Sequence, residues 1–167
     1  MFRNKTLFLI MHITVISVGK TDSPELAALI GQYEKRLGHY IKFRLLLLPD
    51  LKNSKNLSEN QQKEKEGDLI LAQIVPSDRL VLFDEKGKSF SSLSFSNYLQ
   101  KKMNNSTKKL VFVIGGPYGF SRAVYERSQE KISLSTMTFS HQMVRLFALE
   151  QLYRAFTILR NEPYHHR

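Results

Sequence analysis

The chain of 167 residues contains no cysteine. That removes disulfides, thiolate metal sites and a cysteine nucleophile, and it agrees with a cytoplasmic location. Acidic residues are scarce as well. The 15 Asp+Glu stand against 25 Lys+Arg, a formal net charge of +10. The excess favours a polyanionic partner, nucleic acid ahead of a membrane surface, over a merely basic soluble surface. The scattered histidines show no metal-ligand spacing. Neither G-x-G-x-x-G nor G-x-x-x-x-G-K-[ST] is present, so the usual dinucleotide and triphosphate loops are missing. No internal repeat and no interdomain linker interrupts the chain.

Near the start, Arg3 and Lys5 precede an apolar run from Leu7 to Val18 that has the outline of a signal peptide. No small-residue cleavage site follows it, since Gly19, Lys20, Thr21 and Asp22 come next. His12, Thr14 and Ser17 interrupt the run, and it is too short to cross a bilayer. The expectation is therefore no membrane segment, with Ile13–Val18 as the first strand. Residues 1–10 read as an N-terminal extension, with Met11 as a natural start, and 11–167 as a single domain.

What is present alternates between strand and helix periods. Phe43–Leu48, Arg79–Asp84, Leu110–Ile114 and Ile132–Ser135 read as further strands. Ser23 caps a helix with Pro24 at its first position, and Leu26, Leu29, Ile30, Tyr33 and Leu37 share its apolar face. Residues 51–57 read as a basic, mobile loop. Ser58 and Gln61 form a capping box for a helix reaching about Ile74. EKGKS reads as a turn. Phe95, Tyr98, Leu99 and Met103 mark a helix, and a short one spans Ser121–Gln129. His141–Arg160 is the plainest helix, with Val144, Phe147, Ala148, Gln151, Leu152, Ala155, Phe156 and Leu159 on its stripe and Arg145, Arg154 and Arg160 off it. The order implies an α/β fold, a mostly parallel sheet flanked by helices.

The run FVIGGPYGFS, Phe112–Ser121, concentrates the functional signal. A buried strand runs into a turn bearing Gly115, Gly116 and Gly119, and ligands of parallel sheets collect at the carboxyl ends of strands. Glycine removes the Cβ from a ligand's path. Pro117 removes a backbone N–H that a phosphate cradle would use, so a ligand less dependent on phosphate fits better. A turn that needs glycine for geometry alone is the plain alternative.

Three blocks, IGGPYGFS, SLSTMTFSHQMVR and EQLYRAFTILRNEPYHHR, with ISVGK and LFDEKGK, resemble the ribosomal large-subunit pseudouridine methyltransferase H family of SPOUT-class RNA methyltransferases. The resemblance runs from about Met11 to the end. It implies a SPOUT-type α/β fold with a C-terminal trefoil knot, a homodimer, and S-adenosyl-L-methionine as cofactor. The implied reaction is methylation of N3 of a pseudouridine in large-subunit (23S) rRNA within the ribosome, without metal. A non-catalytic RNA-binding ribosome-assembly factor and a tRNA methyltransferase of the same class are the alternatives.

Carried onto this chain, the resemblance implies cofactor contacts from Phe83, from Gly115 and Gly116, and from the loop Leu134, Ser135, Thr136, Met137, Thr138 and Phe139. Tyr118 stands where the family commonly has an acidic residue, and Ser140 where it has proline. A pseudouridine N3–H is a weak acid, so methylation calls for a base or a stabilising cation. His141 is the candidate base, with helix capping as its plain alternative. In the tail, Tyr164 is expected to pack on the target base and His165 and Arg167 to contact phosphate or base edge, with the tail folded over the pocket at the dimer interface. Arg145 and Arg154 are candidates for RNA or tail contacts, or for structural ion pairs. Glu150 is expected to pair with an arginine.

Overall fold

A computed structural model of the protein describes residues 11–166. The expected extension at 1–10 and the role given to Arg167 lie outside the described residues. Five strands, β1 (His12–Val18), β2 (Lys42–Leu48), β3 (Arg79–Ser89), β4 (Lys109–Ile114) and β5 (Glu130–Ser133), form one sheet. Its order is β2-β1-β4-β3-β5, and every pairing is parallel. The helices are α1 (Pro24–Gly38), α2 (Glu59–Leu71), α3 (Ser92–Asn104), α4 (Arg122–Arg127) and α5 (His141–Leu159).

β4 occupies the centre, and Leu110–Ile114 are all buried, which is why the segment reads as a continuous apolar run. Its side chains still alternate. Leu110, Phe112 and Ile114 join the core shared with α1, α3 and α5; Val111 and Val113 join the opposite core with Ile70 of α2 and Val124 of α4. Thus α5 lies among helices on one face, and α2 with α4 covers the other.

Local signals fix the helix starts. Ser23 Oγ accepts from Leu26 N–H at 3.2 Å, and Pro24 follows. Ser58 and Gln61 exchange both capping-box bonds, at 3.1 and 2.9 Å. Ser140 caps α5.

The structure corrects four expectations. Leu29 is 43% exposed rather than core, because α1 turns only Ile30 and Leu37 fully inward. α2 ends at Leu71, short of Ile74. β5 starts at Glu130 and ends at Ser133. EKGKS is not a turn: β3 continues to Ser89, with a register break between Phe83 and Lys88, both of which pair with Ile132. A bulge of this kind lets a long strand leave and rejoin its neighbour. Within the polar stretch 51–57, Ser54–Asn56 form a 3₁₀ turn.

Candidate active site

The carboxyl ends of β3, β4 and β5 open into a cavity of about 460 Å³. A volume of that order suits a small-molecule ligand. β4 delivers the glycine turn to one wall. Gly116 and Gly119 pair as an antiparallel bridge, with Gly119 N–H on Gly116 O at 3.2 Å and Pro117 and Tyr118 at the tip. Gly119 has φ +82°, a conformation that costs glycine nothing and other residues strain. At Gly116 the constraint is space. A Cβ there would lie 2.4 Å from Glu66 Oε2.

The opposite wall is the loop after β5. Leu134, Ser135, Met137, Thr138 and Phe139 line the cavity, as do Phe83, Gly115 and Gly116, while Thr136 is not among the lining residues. Ser133 Oγ donates to Ser135 O at 2.8 Å, and Ser135 Oγ accepts from Met137 N–H at 2.9 Å, so side chains shape this loop and leave other backbone groups for a ligand. Met137, at 71% exposure, stands at the rim. Phe139 leans on Phe147 of α5, ring centroids 5.0 Å apart. Phe83 stacks on Phe112 at 5.3 Å, which fixes it in place.

His141, the first residue of α5, also lines the cavity. Burial, followed by the nearby Arg145 charge, pushes its pKa below the ordinary histidine value; Asp22 and Asp50 act in the opposite direction. The neutral imidazole is therefore the resting form near neutral pH, as a base requires.

Arg145 is not an RNA contact. It is fully buried, and its guanidinium donates to Ser17 Oγ at 2.7 Å, Thr21 Oγ1 at 3.0 Å and Val18 O at 2.6 Å. It ties α5 to the end of β1, within reach of the charges of Asp50 and Asp22. An arginine off the apolar stripe reads as solvent-facing; here its contacts are Ser17 and Val18 at the end of β1 and Thr21 just beyond it.

The tail residues assemble elsewhere. Tyr164 lies edge-on to Tyr153 at 4.8 Å, under the Arg154 guanidinium at 4.7 Å. Its hydroxyl meets Glu150 Oε1 at 3.0 Å and the Tyr33 hydroxyl at 3.2 Å. Arg154 pairs with Glu150 at 2.5 Å, and Arg154 Nη1 is 3.4 Å from His165 Nδ1. Tyr164, His165 and Arg154 therefore form one cluster on α1 and α5, and none of the three lines the cavity of its own chain.

Several lining residues carried no functional signal in the sequence. Asp84, Glu85 and Lys86 reach the cavity because the β3 bulge swings them there, and Tyr125 comes from α4, its hydroxyl bonded to Asp84. Only LFDEKGK, within the family resemblance, touched that region. Among the described residues no helix is long and apolar enough to cross a membrane, and no group of three or more acidic or histidine side chains is placed to hold a metal.

A parallel α/β sheet with a ligand cavity at its carboxyl ends, walled by a glycine turn and a C-terminal loop, defines the class of protein. The match to known sequences makes it particular. A family described as Predicted SPOUT methyltransferase matches residues 11–165, and the chain belongs to the SPOUT methyltransferase family. A methyltransferase fold implies a methyl donor. Proteins named Ribosomal RNA large subunit methyltransferase H are similar over nearly the whole chain. The one from Flavobacterium johnsoniae is 65% identical over 157 residues, covering 94% of this chain and 100% of the relative. The one from Christiangramia forsetii is 66% identical over 157 residues, with the same coverage. The one from Parabacteroides distasonis is 62% identical over 156 residues, covering 93% of this chain and 99% of the relative.

Proposed function

We propose that the protein is an S-adenosyl-L-methionine-dependent methyltransferase that acts on N3 of a pseudouridine in large-subunit (23S) rRNA, as a cytoplasmic homodimer working on the ribosome. The observation that carries this reading is that the glycine turn and the 134–139 loop, far apart in sequence, wall one cavity with His141 at its side. End-to-end similarity to relatives named for rRNA methylation supports the substrate, and the +10 charge suits a polyanion. The C-terminal trefoil knot belongs to the same reading.

The residues present fit the cofactor. Phe83, Ile114, Leu134 and Val144 give the cavity apolar surface for an adenosine, and the glycine turn leaves backbone bare of side chains. Backbone N–H and C=O groups of 134–139 are suited to reading an adenine edge. When bound, S-adenosylmethionine supplies an electrophilic methyl carbon on a sulfonium. His141 accepts the N3 proton on a ring nitrogen, which its depressed pKa leaves unprotonated. The cavity walls hold the reacting groups close, which is where most of the rate enhancement of such a displacement originates. Tyr164, His165 and Arg154, pre-assembled on α1 and α5, serve the partner's cavity in the dimer.

The test is to incubate the protein with radiolabelled S-adenosylmethionine and ribosomes lacking the modification, then locate label by nucleotide mass spectrometry. Label on N3 of an rRNA pseudouridine supports the reading. Label only on tRNA moves the substrate, and cofactor-independent RNA binding without label replaces the enzyme with an assembly factor.

A further inference from the structure

Glu66 of α2 is 4% exposed, and its role is not explained by packing. Oε1 accepts from Gln62 Nε2 at 2.9 Å. Oε2 is buried and has no hydrogen-bond partner among the described residues. A buried unpartnered carboxylate oxygen is costly, and native proteins seldom keep one without a use for it. The carboxyl is pressed against Gly116: a Cβ at that position would lie 2.4 Å from Oε2, 2.9 Å from the carboxyl carbon and 3.0 Å from Oε1. Gly116 itself lines the cavity, and Glu66 is not among the lining residues. One glycine of backbone, with no side chain, therefore separates the carboxyl from the ligand.

Among the described residues no cation is found to act on it. From the strand ends the charged group facing Glu66 is Asp50, itself an anion, and Asp50 also acts on Arg145 and His141. α4 presents the uncharged Ser121 and Val124 beside the neighbouring Gly67. Burial, and secondarily Asp50, raise the carboxyl pKa, against the Gln62 hydrogen bond. Burial and the Asp50 charge thus both push the carboxyl toward its protonated form.

Resting on the cofactor reading above, we propose that Glu66 is a charge-sensing positioning residue. Its carboxyl, set behind Gly116, ionises when a sulfonium cation occupies the cavity and takes its proton back when that cation becomes a neutral thioether. The balance is simple. Binding of the cation converts the carboxylic acid to carboxylate and releases one proton to solvent. Methyl transfer removes the positive charge from sulfur, and the carboxylate recovers a proton from solvent. The carboxylate favours substrate cofactor over demethylated product, so Glu66 promotes product exchange. The glycine at 116 is needed because any side chain would displace the carboxyl.

Isothermal titration of the full chain with S-adenosylmethionine and with S-adenosylhomocysteine, in buffers of different ionisation enthalpy near neutral pH, reads the proton directly. Wild type is expected to release more protons with the sulfonium than with the thioether. Glu66→Gln keeps the acceptor for Gln62, so it should fold, as circular dichroism would show. It should lose the Glu66 share of that proton release and lower the sulfonium preference by about tenfold, the size expected for one charge pair across a partly desolvated gap. His141 also lines the cavity, but it is unchanged in the variant, so the difference between the two proteins isolates Glu66. If the variant binds both ligands with wild-type preference and proton release, the inference is wrong while the methyltransferase reading stands. If wild type binds neither ligand, the cofactor reading falls and this inference with it.

Discussion

Arg145 Nε donates to Ser17 Oγ at 2.7 Å, joining the first turn and a half of α5 to the end of β1 across the core. With Thr21 Oγ1 and Val18 O also taken, the guanidinium is satisfied on all three nitrogens. Removing it leaves those acceptors buried and opens a cavity. Arg145→Ala is expected to lower stability by about 3–5 kcal/mol, measured as a shift of the urea midpoint. Arg145→Lys restores charge but not the three-way fork and should recover only part. A loss below about 1 kcal/mol in the alanine variant would contradict the latch.

This residue also marks the limit of what the sequence disclosed. The strands, the helix caps at Ser23 and Ser58 and the α/β class follow from short-range patterns, because period and capping are local. The burial of Arg145 is not local: it depends on Ser17 and Thr21, more than a hundred residues away. The β3 bulge was hidden for the same reason. EKGKS has turn composition, yet Gly87 is there so that two backbones can touch: a Cβ would lie 2.5 Å from Ile132 N and 2.6 Å from Lys131 C. The glycine turn at 115–119 was legible in its own residues, and the 134–139 wall and the segment holding Asp84 through the resemblance, whereas Glu66 and Tyr125 enter only through folding.

Gly87→Ala should therefore unpair β5 from the distal half of β3. The expected loss is about 2–4 kcal/mol in thermal or urea unfolding, with faster amide exchange at 130–133. Gly31→Ala is the control. Gly31 lies inside α1 with nothing within 4 Å of a new Cβ, so it should gain about 0.5–1 kcal/mol.

Gly116→Ala separates fold from function. The new methyl meets the Glu66 carboxyl at 2.4 Å, so either the turn or α2 must yield. Binding of S-adenosylmethionine by calorimetry should weaken by at least about tenfold, with a far smaller change in melting temperature. Unchanged affinity would show that the turn does not carry the ligand.

His141 sets a pH dependence. Burial and Arg145 depress its folded pKa, so the unfolded chain binds the proton more readily. Stability from this group rises with pH between the depressed folded value and the ordinary ~6.5, and is flat above it. The same neutral imidazole is the base, so the acid limb of kcat/KM should lie below ~6.5. His141→Asn should remove that limb and lower kcat by about 10²–10⁴-fold. A variant with full kcat and an unchanged profile would leave His141 only a capping role.

The tail separates monomer structure from dimer function. Tyr164 bonds to Glu150 and Tyr33 and lies under Arg154, outside its own cavity. Its hydroxyl pKa is raised, chiefly by burial and then by its bond to Tyr33, so it stays protonated and positions rather than acts as a base. Tyr164→Phe keeps the ring against Tyr153 and should cost only about 0.5–1.5 kcal/mol. Deletion from Tyr164 onward is expected to leave a folded chain that still binds S-adenosylmethionine but transfers methyl at least about a hundredfold more slowly, since orientation of the base is lost. Mixing that truncated chain with a second chain carrying Gly116→Ala tests the exchange of parts. If each dimer site takes its tail from the partner, mixed dimers recover activity at one site, because one cavity is intact and faces an intact tail. If every cavity uses its own tail, mixing restores nothing.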